Sequence, residues 1–339
     1  MTELSDYTSF RVGGTAKKFI EVSTEAEIIA AIESAGDGPL LIMGAGTNIL
    51  VSDEGFKGTV IRISNNDLES EVDACSGATL KIGAGEDWDD FVATTISRGF
   101  AGLETLSGIP GTVGAAPIQN IGAYGHEASE FITRVRTYDR KEKKLTTFTN
   151  SECGFSYRTS RFKTEKDRYV ILDVSFQLRI GEESAPIIYA ELAEALGIKV
   201  GEKALVKKTR EVTLALREKK GMLLNKSDHD SWSAGSFFTN PIIDANVAEK
   251  LPASAPRWPQ ANGRVKTSAA WLMENAGVHK GDSIQGARIS TKHVLALTNS
   301  GNATASDITA LAREAQKKVK EAFGITLEPE VNLIGLSLL

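Results

Sequence analysis

The sequence predicts an α+β protein of two or three domains, and three observations carry that expectation. The chain has 339 residues, where a single domain takes roughly 100–200. Short apolar runs that read as strands are interspersed with longer amphipathic stretches of helical period. Three glycine clusters, at residues 44–48, 83–85 and 107–114, each follow a strand-like run. Apolar residues make up 41% and charged residues 24%, an ordinary globular composition in a chain long enough to bury a sizeable core.

In chain order, Thr24-Glu25-Ala26-Glu27 reads as a capping box opening a helix with Ile28, Ile29 and Ile32 on one face. Leu40-Leu41-Ile42-Met43 reads as a buried strand running into the tight turn Gly44-Ala45-Gly46. Residues 60–63 and 80–82 read as further strands. Asp87 is placed to cap a helix that buries Trp88, Phe91, Val92 and Ile96. Residues 99–125 hold seven glycines interleaved with apolar residues. That is too apolar for a solvated linker, and packed glycine loops bring backbone amides close to something else. Residues 135–148 read as a hairpin with the charged turn 140–144, and 168–179 as a strand. Helices are predicted over 186–196 and 203–219. The polar stretch 221–235 reads as a functional loop from its length. Residues 251–262, with Pro252, Pro256 and Pro259, read as an irregular connector. A short helix over 268–275 stopped by Gly277, a strand over 294–298 and an amphipathic helix over 306–323 complete the pattern. The last of these turns Ile308, Leu311, Ala315, Val319 and Phe323 inward.

The net charge of −5, from 39 Lys+Arg and 44 Asp+Glu, carries no nucleic-acid footprint. An anionic ligand must then be met by a few local cations. Cys75 and Cys153 are the only cysteines; they belong to no C-x-x-C or Cys/His cluster, so neither a disulfide framework nor a zinc site is expected. No histidine or carboxylate motif predicts a catalytic metal, and His126, His229, His279 and His293 read as ordinary surface histidines. The N-terminal fourteen residues lack an apolar signal core, and no stretch approaches the ~18 apolar residues of a membrane span. A reduced cytoplasmic protein is expected, with no membrane insertion and no obligate protein partner.

Each glycine cluster can present N–H groups as an anion-binding nest. Two or more nests around one pyrophosphate neutralise it with few lysines, as an acidic protein requires. The pattern is not a Rossmann fingerprint, because Gly44-Ala45-Gly46-Thr47-Asn48 lacks the third glycine, and no Gly-Lys-Ser/Thr makes it a Walker A loop. Any one cluster reads equally as a tight turn; the three together point to a dinucleotide.

Four segments resemble the FAD-binding half of the UDP-N-acetylenolpyruvoylglucosamine reductase (MurB) family. They are Phe10-Arg11-Val12-Gly13-Gly14, Gly44-Ala45-Gly46-Thr47-Asn48, Ile109-Pro110-Gly111-Thr112-Val113-Gly114, with Ser107 and Gly108 just before it taken as further cofactor contacts, and Gln119-Asn120-Ile121-Gly122-Ala123-Tyr124-Gly125. Tyr157-Arg158, Gly235-Ser236-Phe237-Phe238-Thr239-Asn240-Pro241 and Leu327-Glu328-Pro329-Glu330-Val331 resemble that family's catalytic segments. The matches run in order over nearly the whole chain. The resemblance implies non-covalent FAD in a fold of the vanillyl-alcohol-oxidase (PCMH) type, with NADPH as electron donor. It implies two FAD-binding subdomains, 1–66 joined by 330–339 and 67–217, and an α+β substrate-binding domain over 218–329.

The family's substrate is an enolpyruvyl ether on UDP-N-acetylglucosamine. Hydride from the flavin N5 goes to its vinyl carbon, and charge develops on the neighbouring carbon and carboxylate. Alone, Arg158 reads as a surface ion pair, Ser236 as a turn residue and Glu330 as a solvated strand end. The resemblance gives them roles and implies that they converge beside the flavin. Arg158 steadies the developing charge, since its guanidinium grips a carboxylate bidentately. Glu330, protonated and with a raised pKa, donates a hydrogen bond. Ser236 gives its proton to the carbanionic carbon.

Substrate contacts implied in the same way are Tyr157, Tyr189, Arg217, Lys220, Asn240, Trp258 and Lys266. Arg217 and Lys220 stand at i and i+3, and Tyr189 resembles the loop tyrosine of the family's first subclass. Two departures stand out. Asn332 occupies a position where arginine is expected, and Ser283 falls near one where some members carry glutamine. Rival readings are an oxygen-consuming oxidase of the same fold and a non-catalytic nucleotide-binding protein.

Overall fold

The computed structural model describes residues 1–73, 75 and 77–338. They form two compact units, one of Met1–Ala16, Gly46–Phe56 and Leu224–Leu339, the other of Lys17–Ala45 and Lys57–Leu223. Helices and strands mix in both, as an α+β chain requires. No helix among the described residues is long and apolar enough to cross a membrane.

The second unit is built on an antiparallel sheet ordered Lys144–Thr149, Ile132–Asp139, Tyr169–Ile180, Gly77–Gly83, Leu68–Asp73. Its central strand buries Val170, Ile171, Leu172, Val174, Phe176 and Leu178, a near-continuous apolar run that needs cover on both faces. The helix Trp88–Ser97 gives part of that cover: Trp88 and Phe91 place their ring centroids 6.0 and 5.0 Å from that of Phe176. Asp87 caps this helix, accepting from the amides of Asp89 and Asp90. The helix Glu25–Ala35 opens on the expected Thr24/Glu27 capping box. The helix Val206–Lys219 packs on the short turn Glu104–Leu106.

In the first unit, the helix Ala305–Phe323 covers the antiparallel strands Ser283–Ile284, Ala287–Ile289 and Leu297–Asn299. Its first turn has a Thr304/Asp307 capping box. The Asp53 carboxylate also accepts from the amides of Ala305 and Ser306, at 2.7 and 2.9 Å. A carboxylate there meets both the open N–H groups and the helix dipole. The strand Asn332–Ile334 pairs in parallel with Ile49–Val51.

Three elements differ from the sequence expectation. The helix expected over 186–196 begins only at Ala190. Ahead of it the chain is extended, because the amides of Ser184 and Ile187 donate to the carbonyls of Ala204 and Glu202, each at 2.8 Å. The next helix accordingly starts at Val206 rather than 203. The expected irregular connector contains the strand Trp258–Pro259, which pairs with Val265–Lys266. Tertiary pairing created these short strands against local proline content.

Candidate active site

In the second unit the first and third glycine clusters meet. A Cβ at Gly44 would lie 2.2 Å from Thr112 Oγ1, so glycine is what lets the two loops touch. The middle cluster is not a nest. The amides of Gly83, Ala84 and Gly85 are taken by the carbonyls of Asp67, Leu172 and Asn65, at 2.9, 3.0 and 2.8 Å. Its function is to buttress: Gly114 donates to the Ala84 carbonyl at 2.8 Å, and a Cβ on Gly114 would lie 2.5 Å from that of Ala84.

The amides of Gly44, Ala45, Ile109 and Gly111 find no acceptor among the described residues. Donors of this kind on touching loops fit a pyrophosphate. Ser107 and Gly108 turn their own polar groups inward. Ser107 Oγ donates to the Glu104 carbonyl at 2.6 Å, and the Gly108 amide donates to Asp89 Oδ1 at 2.6 Å.

The loop 119–125 holds the Arg158 side chain through its carbonyls. Arg158 Nη2 donates to the Gly122 carbonyl at 2.9 Å, and its guanidinium lies 5.3 Å from the Tyr157 ring centroid. Asn120 is fully buried and spends its side chain on the fold: Nδ2 donates to Glu127 at 2.7 Å and Oδ1 accepts from the Ser129 amide at 3.0 Å. Among the described residues seven non-glycine residues have positive φ, and four of them are Arg11, Asn120, Tyr124 and Arg158. Such backbone costs about 1–3 kcal/mol per residue and persists where surrounding structure enforces it, often at functional sites.

Tyr124, Tyr189 and Lys220 form one cluster. The tyrosine rings meet edge to face at 5.5 Å, and Lys220 Nζ lies 5.8 Å from the Tyr124 centroid while pairing with Glu191. Burial pushes the Tyr124 hydroxyl up to about 12, so it stays a neutral donor. Tyr189 is exposed. Arg217 Nε instead donates to the Gly108 carbonyl at 3.0 Å and Nη2 to that of Met222 at 3.2 Å.

In the first unit, Ser236 pairs with Ala296, and Phe238 with Pro329. The Glu330 amide donates to the Phe237 carbonyl at 2.8 Å, and Asn48 Nδ2 to the Glu330 carbonyl at 3.3 Å. Ser236, Glu330 and Asn48 thus share one hydrogen-bonded segment. Asn332 is tied to it, its amide and its Nδ2 both donating to the Asn48 carbonyl, at 3.0 and 3.1 Å. Ser9 secures the preceding residues through the carbonyls of Gly46 and Thr47, at 3.2 and 3.3 Å. Trp258 and Lys266 are cross-strand partners, with Lys266 Nζ 5.8 Å from the indole centroid. Asn240 Oδ1 accepts from the Ala269 amide at 2.9 Å.

Residues 226–334 match the C-terminal domain of UDP-N-acetylenolpyruvoylglucosamine reductase, and residues 16–147 match an FAD-binding domain. The reductase of that name from Cutibacterium acnes is 49% identical, over 99% of this chain and 90% of its own length. That from Streptomyces avermitilis is also 49% identical, over 99% of this chain and 94% of its own. The chain belongs to the UDP-N-acetylenolpyruvoylglucosamine reductase family. A crystal structure of the Thermus caldophilus reductase superimposes with a TM-score of 0.68 at 24% identity, covering 98% of this chain and 97% of its own, and shows the same fold. This reductase is an FAD-dependent oxidoreductase, and FAD is its cofactor.

Two histidines of the reductase have packing contacts, and one of them, His126, is not the surface residue expected. His126 is buried, with Nδ1 2.8 Å from Glu130. His293 accepts from the Leu295 amide through Nδ1 at 3.1 Å, and the Leu295 carbonyl in turn accepts from Phe237. It therefore braces the segment that presents Ser236. Both bonds are local, His126 to the Glu130 side chain four residues on and His293 to the Leu295 amide two residues on, but neither spacing by itself tells a packed histidine from a surface one. Asp230, in the loop 221–235, is buried and accepts from Ser290 Oγ, the Thr291 amide and Thr291 Oγ1, at 3.1, 3.1 and 2.9 Å. That part of the loop is a packed support.

Proposed function

We propose that this reductase uses NADPH to reduce the enolpyruvyl ether of UDP-N-acetylglucosamine, giving UDP-N-acetylmuramate for peptidoglycan precursors in the cytoplasm. The observation that carries this reading is the pairing of the Glu330 amide with the Phe237 carbonyl at 2.8 Å. It sets Ser236 and Glu330, far apart in the chain, on adjoining main-chain segments, which supports a shared role for their side chains.

Bound FAD supplies the two-electron reduction; the protein's own groups handle charge and proton. Ser236 gives its hydroxyl proton to the strongly basic carbon, a transfer that serine makes only to such a base, and regains a proton from solvent. Glu330, in its acid form, donates a hydrogen bond to the substrate carboxylate rather than repelling it. Arg158 meets the negative charge spreading into that carboxylate, and the Gly122 carbonyl preorganises its guanidinium. Tyr189 and Lys220 contact the diphosphate. Asn240, Trp258 and Lys266 serve the nucleotide within a substrate-binding domain over 218–329.

An anaerobic absorbance assay tests this reading. The purified protein is expected to be yellow, to oxidise NADPH, and to be reoxidised by the enolpyruvyl sugar nucleotide without oxygen. Reoxidation by oxygen alone would support an oxidase, and colourless protein that takes up no flavin a binding role.

A further inference from the structure

Behind the third glycine cluster lies an ionic assembly to which the proposed chemistry gives no task. The helix Val206–Lys219 presents Arg210 and Arg217 two turns apart on one face. Arg210 grips Asp89 of the helix Trp88–Ser97 with two bonds, Nη1 to Oδ1 at 2.6 Å and Nη2 to Oδ2 at 2.8 Å. Asp89 Oδ1 also accepts the Gly108 amide at 2.6 Å. Arg217 Nε donates to the carbonyl of the same residue at 3.0 Å. Both main-chain polar groups of Gly108 are therefore held, one by an anion and one by a cation.

The position admits little else. Gly108 has φ +71°, and a Cβ there would lie 2.6 Å from Leu223 Cδ2 and 2.8 Å from Leu214 Cδ2. Burial alone would raise the Asp89 carboxyl, but the Arg210 bonds, the Gly108 amide and the Arg217 charge outweigh it and hold it below the ordinary range. Its second bond partner, Arg210, is permanently charged, so the clamp is intact at neutral pH.

We infer that Asp89 and Arg217 are positioning residues for the cofactor: by clamping Gly108 from both sides they preset residues 107–114 in the shape that receives the FAD pyrophosphate. Neither touches the flavin in this assignment. They act by removing the ordering that the loop would otherwise undergo on binding. Arg217 is then no contact of the sugar nucleotide, although its place in the chain implied one. The inference rests on the FAD-binding reading of the glycine loops.

The test is reconstitution of flavin-stripped full-length protein with FAD, followed by fluorescence, with the melting temperature of each apoprotein measured in parallel. Asp89→Ala is expected to raise the FAD dissociation constant about tenfold or more, the loss of a charge-assisted bond. Asp89→Asn keeps an acceptor for the Gly108 amide and is expected to recover most of that affinity. Arg217→Met is expected to weaken FAD binding while leaving the KM for the sugar nucleotide near that of wild type. FAD affinities of Asp89→Ala and Arg217→Met within about twofold of wild type overturn the clamp. So does an Asp89→Asn protein as impaired as Asp89→Ala with an equally lowered apoprotein melting temperature, which marks a purely structural ion pair. A raised KM for the sugar nucleotide with unchanged FAD affinity in Arg217→Met overturns it as well. A wild-type protein that takes up no FAD is a different failure, one that removes the functional reading itself.

Discussion

Glu330 donates its amide to the carbonyl of Phe237 at 2.8 Å, while Phe237 donates its own amide to Leu295 at 2.8 Å. The residue between Gly235 and Phe237 is thereby fixed on main chain, with Phe237 and Phe238 buried beside it. A serine on so rigid a support keeps its hydroxyl in a narrow range of positions, which proton transfer requires.

Ser236→Ala should therefore leave the fold and the NADPH half-reaction nearly unchanged. The rate of flavin reoxidation by the enolpyruvyl sugar nucleotide should fall by roughly 10²–10⁴, the range for loss of a positioned general acid. Anaerobic stopped-flow absorbance separates the two steps. Equal slowing of both would remove Ser236 from the proton-donor role.

Gly44 meets Thr112 too closely for any side chain. Gly44→Ala should cost roughly 1–3 kcal/mol from overpacking and release FAD. Thr112→Ala removes Oγ1 and Cγ2, the two nearest atoms at 2.2 and 2.9 Å. The double variant should regain part of both stability and flavin. Chemical denaturation and flavin content, read as a double-mutant cycle, check this; strict additivity would contradict it.

Lys220 pairs with Glu191 and stands over the Tyr124 ring. Replacing it with alanine should raise the KM values for NADPH and the sugar nucleotide about tenfold each, if both anions use this cation. Steady-state kinetics with each ligand varied in turn gives the answer. Unchanged constants for both would exclude the role.

Acid should expose one support of the second unit. Burial pushes the Asp139 carboxyl up, but the Arg168 bonds and the amides of Glu142 and Lys141 outweigh it and hold it below the usual carboxylate range. A depressed folded-state value adds stability above the unfolded pKa of about 3.9, lost as pH falls through the folded value. Asp139→Asn should melt below wild type at neutral pH. The gap should close as pH drops below about 4, and a gap independent of pH would show that charge is not what Asp139 contributes.

Much of this architecture was legible in the sequence where local chemistry and packing agree. The Thr24/Glu27 box, Asp87 before Trp88, and Ile308, Leu311, Ala315 and Val319 on one face all formed as their spacing implies. What escaped depends on contacts across long separations. The helix expected from 186 loses its first residues, because the bonds of Ser184 and Ile187 to Ala204 and Glu202 draw that stretch out. Trp258 and Lys266 meet only because a two-residue strand forms between prolines. Motif resemblance put Ser107 and Gly108 beside the cofactor, but it could not reveal that Asp89 and Arg217 hold Gly108 from behind. The departure at Asn332 also has a local meaning, since its side chain seals the carbonyl of Asn48.

The bond from Asn48 to Glu330 spans 282 positions of sequence, and the parallel strand beside it closes the same circuit. During synthesis the early half of that pairing must wait, unsatisfied, for its distant partner to leave the ribosome. Closing so long a circuit is entropically slow. The unit that carries Ser236 and Glu330 therefore matures late, and a nascent chain stalled before residue 330 leaves the strand Ile49–Val51 without the parallel partner Asn332–Ile334.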